Sequence, residues 1–319
     1  MLAETLGEVL IRPLRESDLT EADRIERLAF GTYLGLPDPM AFLGDAADIA
    51  TRWQTEPEGA FAAELDGALI GTNFATRWGS VGILGPLTIH PDYWNRGYAT
   101  PLIKAVVDCL VSWGTTHDQL FTFAQSPKHH ALYQKAGFWP RFLTPLMSTS
   151  ALTLSDGAVY ERFSGMSGAD QEHSVAACRK LTQDIQAGLD LTVEIQAVRD
   201  LNLGDTILLH DADGLQGFAV CHCGPGTEAG SGVCSVKFGA VRPGPDAAEA
   251  FSRLVSACET FTIKMGMQSL TTSVNTSRIA AYQMLLKRGY RSTFIGISMH
   301  RPNEPGYCRP DVFVIEGIA

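Results

Sequence analysis

Apolar residues along this chain keep two periods, and the periods alternate in a fixed order. Residues 9–14, Val-Leu-Ile-Arg-Pro-Leu, predict a first strand, and helical patterns follow near 20–33 and 40–54. Between Ala60 and Gly71 two apolar runs flank Asp66-Gly67, a hairpin signal because type I′ turns need positive φ. A further strand over 82–89 ends at His90-Pro91. Beyond it Ala99, Leu102, Ile103, Val106, Val107 and Leu110 fall at i, i+3, i+4, i+7, i+8 and i+11, one face of a helix. Residues 119–124 read as a strand, 128–136 as a helix stopped by Gly137, and 138–147 as a final strand.

The order then repeats. A helix is predicted over 170–186, strands around 206–209 and 217–220 join through Asp213-Gly214, and a strand over 233–241 ends at Arg242-Pro243. Phe251, Leu254, Val255, Cys258 and Met265 mark the next helix face. A strand over 269–274, a helix over 277–288, Gly289 and a strand over 290–300 complete the set. Pro91 precedes Gly137 by 46 positions and Pro243 precedes Gly289 by 46, so the spacing points to duplication. The expected fold class is α/β, with two tandem domains at 1–150 and 158–319, each a twisted mixed sheet flanked by helices. The linker is expected near 148–160, which is rich in Ser, Thr and Gly. The crossover from Ile89 through the turn and helix to Gln119 is a βαβ unit, so its strands should be parallel neighbours.

Composition adds bounds. A length of 319 residues suits two domains of roughly 150 each. No apolar run reaches about 18 residues and the first residues lack a signal-peptide pattern, so a cytoplasmic protein without a membrane span is expected. The formal charge of −10 repels nucleic acid and anionic membranes at long range, and mildly favours amine substrates. Of seven scattered cysteines, Cys221-His222-Cys223 has the look of a metal site. Structural zinc needs a second pair, and none is spaced for it. The segment reads as a strand with both thiols on one face, so buried cysteines and no metal are expected.

The segment Pro91-Asp-Tyr-Trp-Asn-Arg-Gly-Tyr-Ala-Thr100 carries the candidate chemistry. A helix N-terminus presents unpaired N–H groups and a partial positive charge. Gly97 lets a phosphate approach the backbone, Ala99 is small, and Arg96 and Thr100 add donors. Downstream, Ser126-Pro-Lys-His-His-Ala-Leu-Tyr-Gln-Lys-Ala-Gly-Phe138 sets Tyr133 one helical turn before the helix-stopping glycine.

On these two segments the chain resembles the GNAT superfamily of N-acetyltransferases. Gly97-Tyr98-Ala99 match the second half of the family's Gln/Arg-x-x-Gly-x-Gly/Ala loop, Trp94 stands where Gln or Arg is commonest, and Leu132-Tyr133…Gly137-Phe138 match its Leu-Tyr…Gly-Phe ending. Ser126 stands where Asn is frequent. The resemblance covers 9–147 by motif and 160–319 by element order. It implies an acyl-CoA-dependent N-acyltransferase, with acetyl-CoA as the expected cosubstrate. Backbone groups of Leu87, Thr88 and Ile89 would line the pantetheine. Asn95, Arg96, Gly97, Tyr98, Ala99 and Thr100 would hold the pyrophosphate, with Ser126 nearby, and Tyr133 would protonate the departing thiolate. The acceptor would be a small-molecule or peptide amine, and the protein a monomer or homodimer.

The resemblance leaves the base open. Gly85-Pro86 stand where the family often carries a carboxylate, which leaves His90, His129, His130 and Glu64 as candidates, or a substrate amine needing no base. In the second half Pro245, Asp246 and Glu249 are unfit for phosphate, and Leu285 stands at the acid's place. That half reads as a scaffold without cofactor. The acceptor pocket is expected over 30–53, with Tyr33, Asp38, Met40 and Trp53. Two other readings are a non-catalytic acyl-CoA sensor and a structural protein.

Overall fold

The computed structural model describes residues 9–151 and 157–317. The first half runs β1 (Leu10–Pro13), α1 (Leu19–Leu34), α2 (Asp48–Thr55), β2 (Ala60–Leu65), β3 (Ala68–Trp78), β4 (Val81–Leu84), β5 (Thr88–Ile89), α3 (Ala99–Ser112), β6 (His117–Phe123), α4 (Pro127–Gln134) and β7 (Trp139–Ser150). The second runs β8 (Glu161–Arg162), α5 (Gly168–Ile185), α6 (Thr192–Asp200), β9 (Gly204–Asp211), β10 (Gly214–Gly224), β11 (Gly230–Val241), α7 (Ala247–Lys264), β12 (Ser269–Ser273), α8 (Ile279–Lys287), β13 (Arg291–Arg301) and β14 (Val314–Glu316).

Period two explains how each strand is covered on both faces. Along β2, Ala60 and Ala62 pack with Ala22 of α1 and Ile49 of α2, while Ala63 and Leu65 pack with Leu102 of α3. Along β9, Ile207 and Leu209 join Phe251 and Leu254 of α7, whereas Leu208 joins Leu181 of α5 and Ile195 of α6. The predicted hairpin at Asp66-Gly67 has φ of +52° and +82°, as a type I′ turn requires.

The two sheets are fused by an exchange of last strands. Among the described residues all strands join one sheet, in the order β1-β2-β3-β4-β6-β13-β7-β12-β11-β10-β9-β8, with β5 on β3 and β14 on β11. The strand that closes the first half's sheet beside β6 is therefore β13, from the second half. The strand beside β12 is β7, from the first. Gly296 permits this crossing, since a Cβ there would lie 2.0 Å from Phe121 Cζ. At the far end Asp118 of β6, 3% exposed, is held by Arg301 of β13 and by Thr115 Oγ1 at 2.6 Å.

Other contacts lock the halves. Trp78 Nε1 donates to Glu194 at 3.0 Å, and Arg52 of α2 lies 3.9 Å from Glu228, which Lys237 also holds. Asp45 accepts from Ser231 N–H at 2.7 Å, and Ala47 N–H donates to the Thr227 carbonyl at 2.9 Å. The loop that carries Asp45 is also held from below, where Arg27 donates to the carbonyls of Phe42, Gly44 and Ala46.

Several expectations are corrected. The helix expected over 40–54 begins only at Asp48, because Leu43 and Gly44 take positive φ and end any helical run before it. The strand expected over 82–89 breaks at Gly85-Pro86, since Pro86 has no N–H to donate. Its first part does run parallel to β6, as Val81↔His117 through Leu84↔Leu120, but Thr88 and Ile89 pair with β3 instead. Ser148–Ser150 of the expected linker are part of β7, and 152–156 lie outside the described residues. The strands β8 and β14 and the helix α6 were not expected.

The exchanged strand makes a direct forecast. Arg301→Ala leaves Asp118 buried without its cation and should lower unfolding stability by about 2–3 kcal/mol, measured by urea titration. Arg301→Lys should lose less.

Candidate active site

β4 and β6 run as a parallel pair only as far as Leu84↔Leu120. Past that point β5 turns toward β3 while β6 continues to Phe123, so the two strands part in a V. His90 N–H donates to Ile70 on β3 at 2.8 Å. Alternate residues present their backbone groups to opposite edges, so Leu87 and Ile89 face the opening. Among the described residues no strand occupies it. Thr88 faces away, its Oγ1 2.9 Å from Thr72 Oγ1 and its side chain buried. The Ile89 carbonyl accepts from Trp94 Nε1 at 2.6 Å, which pins the following turn against the strand.

That turn ends in an uncapped helix. Asn95 and Gly97 have φ of +64° and +85°. A Cβ at Gly97 would meet no protein atom within 4 Å, so the positive φ, not packing, demands glycine, and the space in front of it is open. The start of α3 has no side-chain cap and no acidic residue in its first turn. Thr100 N–H is already bonded to the Gly97 carbonyl at 3.1 Å. The N–H groups from Asn95 to Ala99 find no acceptor among the described residues. Tyr98 and Ala99 contribute backbone only, since the Tyr98 ring is core. Arg96 lies over the Tyr93 ring at 5.6 Å. Lys128, at the start of α4, reaches the turn, 2.7 Å from Asn95 Oδ1 and 5.9 Å from the Trp94 ring. Sequence reasoning missed Lys128; its basic side chain on the first turn of a helix near the cleft was the available signal.

Tyr133 packs in the cluster that holds Leu84 and Leu120, the pair where the V opens. Burial pushes its phenol above the ordinary value of 10, so it stays protonated. Its hydroxyl has no hydrogen-bond partner among the described residues. Gly137, φ +87°, ends the helix and lets Phe138 N–H return to the Tyr133 carbonyl at 3.1 Å.

A sequence profile of the acetyltransferase (GNAT) family matches residues 24–138. Residues 24–138 are a GNAT-family domain. The whole chain also superposes on a candidate acetyltransferase from Pyrococcus horikoshii, at 11% identity and a TM-score of 0.71, covering 100% of this chain and 97% of that one. A GCN5-related N-acetyltransferase from Sphaerobacter thermophilus superposes at 15% identity and a TM-score of 0.61, covering 93% and 96%. At these identities the likeness is one of fold, and it extends over both halves. No curated protein is significantly similar to the chain in sequence.

The second half repeats the parted parallel pair and fills the gap. β11 and β12 run parallel from Val233↔Ser269 to Ser235↔Thr271 and then part. The gap is taken by the chain's own tail: β14 pairs antiparallel with β11, Phe238↔Glu316, Gly239↔Ile315 and Ala240↔Val314. Glu316 is buried, 3.0 Å from Arg278, which is 0% exposed, and 2.6 Å from the Tyr307 hydroxyl. Gln119 of β6 donates to that same hydroxyl at 2.8 Å. Arg278 stands 152 positions after Ser126, the same displacement that relates Pro243 to Pro91. The sequence reading rejected this half on Pro245, Asp246 and Glu249; the plug was not foreseen, because three apolar and acidic residues near a terminus carry no periodic signal.

The remaining candidates separate clearly. Glu64 pairs with Arg12 at 2.7 Å across β1 and β2, and His90 Nδ1 accepts from Asp92 N–H at 3.3 Å, a turn cap. Trp53 Nε1 donates to the Leu14 carbonyl at 3.1 Å, and Asp38 caps Met40 N–H at 3.0 Å. His130 Nε2 is 3.2 Å from the Phe123 carbonyl. His129 Nδ1 lies 2.7 Å from Ser126 Oγ, so the serine expected at the cofactor is held by the histidine. Cys221 and Cys223 lie in the second core with Cys234 and Cys258. Among the described residues no group of three His, Cys, Asp or Glu is placed to hold a metal, and no helix is long and apolar enough to cross a membrane.

Glu316 supplies a pH forecast. Burial opposes its charge, but Arg278 and the Tyr307 hydroxyl outweigh burial and hold its carboxyl below the ordinary 4.5. A depressed folded value gives stability that is present above pH 4.5 and lost as pH falls through the folded value. Glu316→Gln should cost about 3 kcal/mol at neutral pH, since it leaves Arg278 buried and unpaired. Acid titration of the variant, followed by circular dichroism, should show a shallower loss below pH 4.5 than the parent.

Proposed function

We propose that the chain is an acyl-CoA-dependent N-acyltransferase that moves an acetyl group from acetyl-CoA to an amine. The reading rests on one conjunction: an unfilled V between β5 and β6 whose apex holds Tyr133 and whose mouth is flanked by an uncapped helix start. Leu87 and the Ile89 N–H would pair with the pantetheine amides. The N–H groups from Asn95 to Ala99 would hold the pyrophosphate, and Arg96 and Lys128 would add positive charge. Each hydrogen bond to a charged phosphate contributes about 1.5–3 kcal/mol. A phenol kept protonated by burial would donate to the departing sulfur as negative charge develops beside it. The second half, its cleft closed by β14, would bind no cofactor, giving one acetyl-CoA per chain.

Acetyl-CoA at a hundredfold excess over its Kd should stabilise the fold by about 2.7 kcal/mol, read as a rise in Tm. Gly97→Glu should abolish that rise. Tyr133→Phe should keep it while lowering kcat by roughly a hundredfold. If neither acetyl-CoA nor longer acyl-CoAs move the melting curve, the reading fails. If they do but no amine in a broad panel elicits free thiol, the protein binds acyl-CoA without acylating amines.

A further inference from the structure

An aromatic wall borders the V on the side away from the phosphate turn. Tyr33 of α1 stacks against Phe123 of β6 with centroids 4.4 Å apart and meets His129 edge-on at 5.0 Å. Phe123 in turn lies 5.5 Å from His129 and 5.7 Å from Phe294 of β13. All four side chains are half-buried, so each ring keeps some surface outside the packed core. Phe294 comes from the second half and reaches this place only because β13 is exchanged.

His129 and Tyr133 are four residues apart on α4, which puts them one above the other on one face, with Cβ atoms about 5–6 Å apart. Tyr133 lies deeper, at the apex; His129 lies nearer the mouth, among the rings. We infer that the aromatic wall is the acceptor subsite, that it takes a primary amine carrying a flat apolar group, and that His129 is the base that removes the amine proton. This rests on the acyltransferase reading above.

The chemistry balances with the residues present. In the tautomer this step uses, Nδ1–H donates a hydrogen bond to Ser126 Oγ, buried and 2.7 Å away, which leaves the lone pair on Nε2. The amine nitrogen attacks the thioester carbonyl carbon. The C–N bond forms, the C–S bond breaks, the nitrogen's proton passes to His129 Nε2, and the sulfur takes the proton of Tyr133. The imidazolium then returns its proton through solvent to the phenolate, and amide and free thiol leave. Burial, with Lys128 and His130, lowers the His129 pKa from its ordinary 6.5, so the ring is neutral and ready at physiological pH. The titratable groups around the ring are Lys128, His130 and Tyr133 on α4 and Tyr33 on α1; β6 and β13 bring only phenylalanines to the wall.

The test is thiol release from acetyl-CoA by the full chain with phenylethylamine, spermidine or an alanyl peptide as acceptor. Phenylethylamine should give the highest kcat/KM. His129→Gln should lower kcat for it by roughly a hundredfold, remove the fall in kcat on the acid side of pH 6.5, and keep the Tm rise with acetyl-CoA. Ser126→Ala should lower kcat about tenfold with the acid limb retained. Phe294→Ala should raise KM for phenylethylamine about tenfold while keeping the Tm rise with acetyl-CoA. A parent-like kcat and acid limb in His129→Gln, or a preference for spermidine or the peptide, overturns the inference while leaving the acyltransferase reading intact. Binding of acetyl-CoA without thiol release from any of the three amines by the parent protein, extended to a broad panel, overturns both.

Discussion

β6 completes its ladder on a strand that the first half does not encode. A parallel strand buried between helices needs hydrogen-bond partners on both edges, and unpaired groups there carry a desolvation penalty of about 1–3 kcal/mol each. Here β4 supplies one edge from Val81 to Leu84, and β13 supplies the other along Asp118–Phe123. The exchanged pair is reciprocal, since β7 does the same for β12. Neither half can satisfy its own sheet, so the interface is part of the fold and not a contact between finished domains. The Asp118–Arg301 pair and the Gln119–Tyr307–Glu316 chain extend this dependence from backbone to buried side chains.

The two halves differ at the clefts. Both parallel pairs part after a short ladder, at Leu84↔Leu120 and at Ser235↔Thr271. A parted pair exposes backbone groups that must be met by water, ligand or chain. In the second half β14 meets them, and Glu316 compensates a fully buried arginine. With Leu285 at the position of Tyr133 and β14 in the gap, that cleft is filled by the chain itself. The first half's gap holds no strand among the described residues.

Much of this was legible in the sequence, for identifiable reasons. Amphipathic spacing from Ala99 to Leu110 fixed α3, and Asp66-Gly67 fixed the β2–β3 turn, because each depends only on local periods and φ preferences. The turn before α3 was legible because Gly97 must take positive φ. Partners distant in sequence were not. Nothing local tells β13 to pair with β6, since an apolar strand fits either neighbour and Gly296 marks only a close approach. The helix expected from Met40 failed for a related reason, because its loop is held by Arg27 and by the second half's Thr227 and Ser231. His129 stood among four candidate bases with nothing local to set it apart; only the positions of Tyr33 and Phe123 show that it is half-buried.

Edge physics also links fold to chemistry. An open strand edge invites pairing with any extended chain, and folds usually cover or charge it. The edge at Leu87 and Ile89 is neither covered nor charged. It is guarded by geometry: Pro86 interrupts it, Trp94 takes one of its carbonyls, and α3 and α4 flank it. What remains is too short for a β-strand of ordinary length and long enough for a narrow extended arm with two amides. The tail that fills the twin cleft is itself such an arm, three residues paired along β11 with a carboxylate at its end held by Arg278. The second half's slot therefore holds an extended segment of its own chain, whereas the first half's slot, beside the uncapped start of α3, stays unfilled among the described residues.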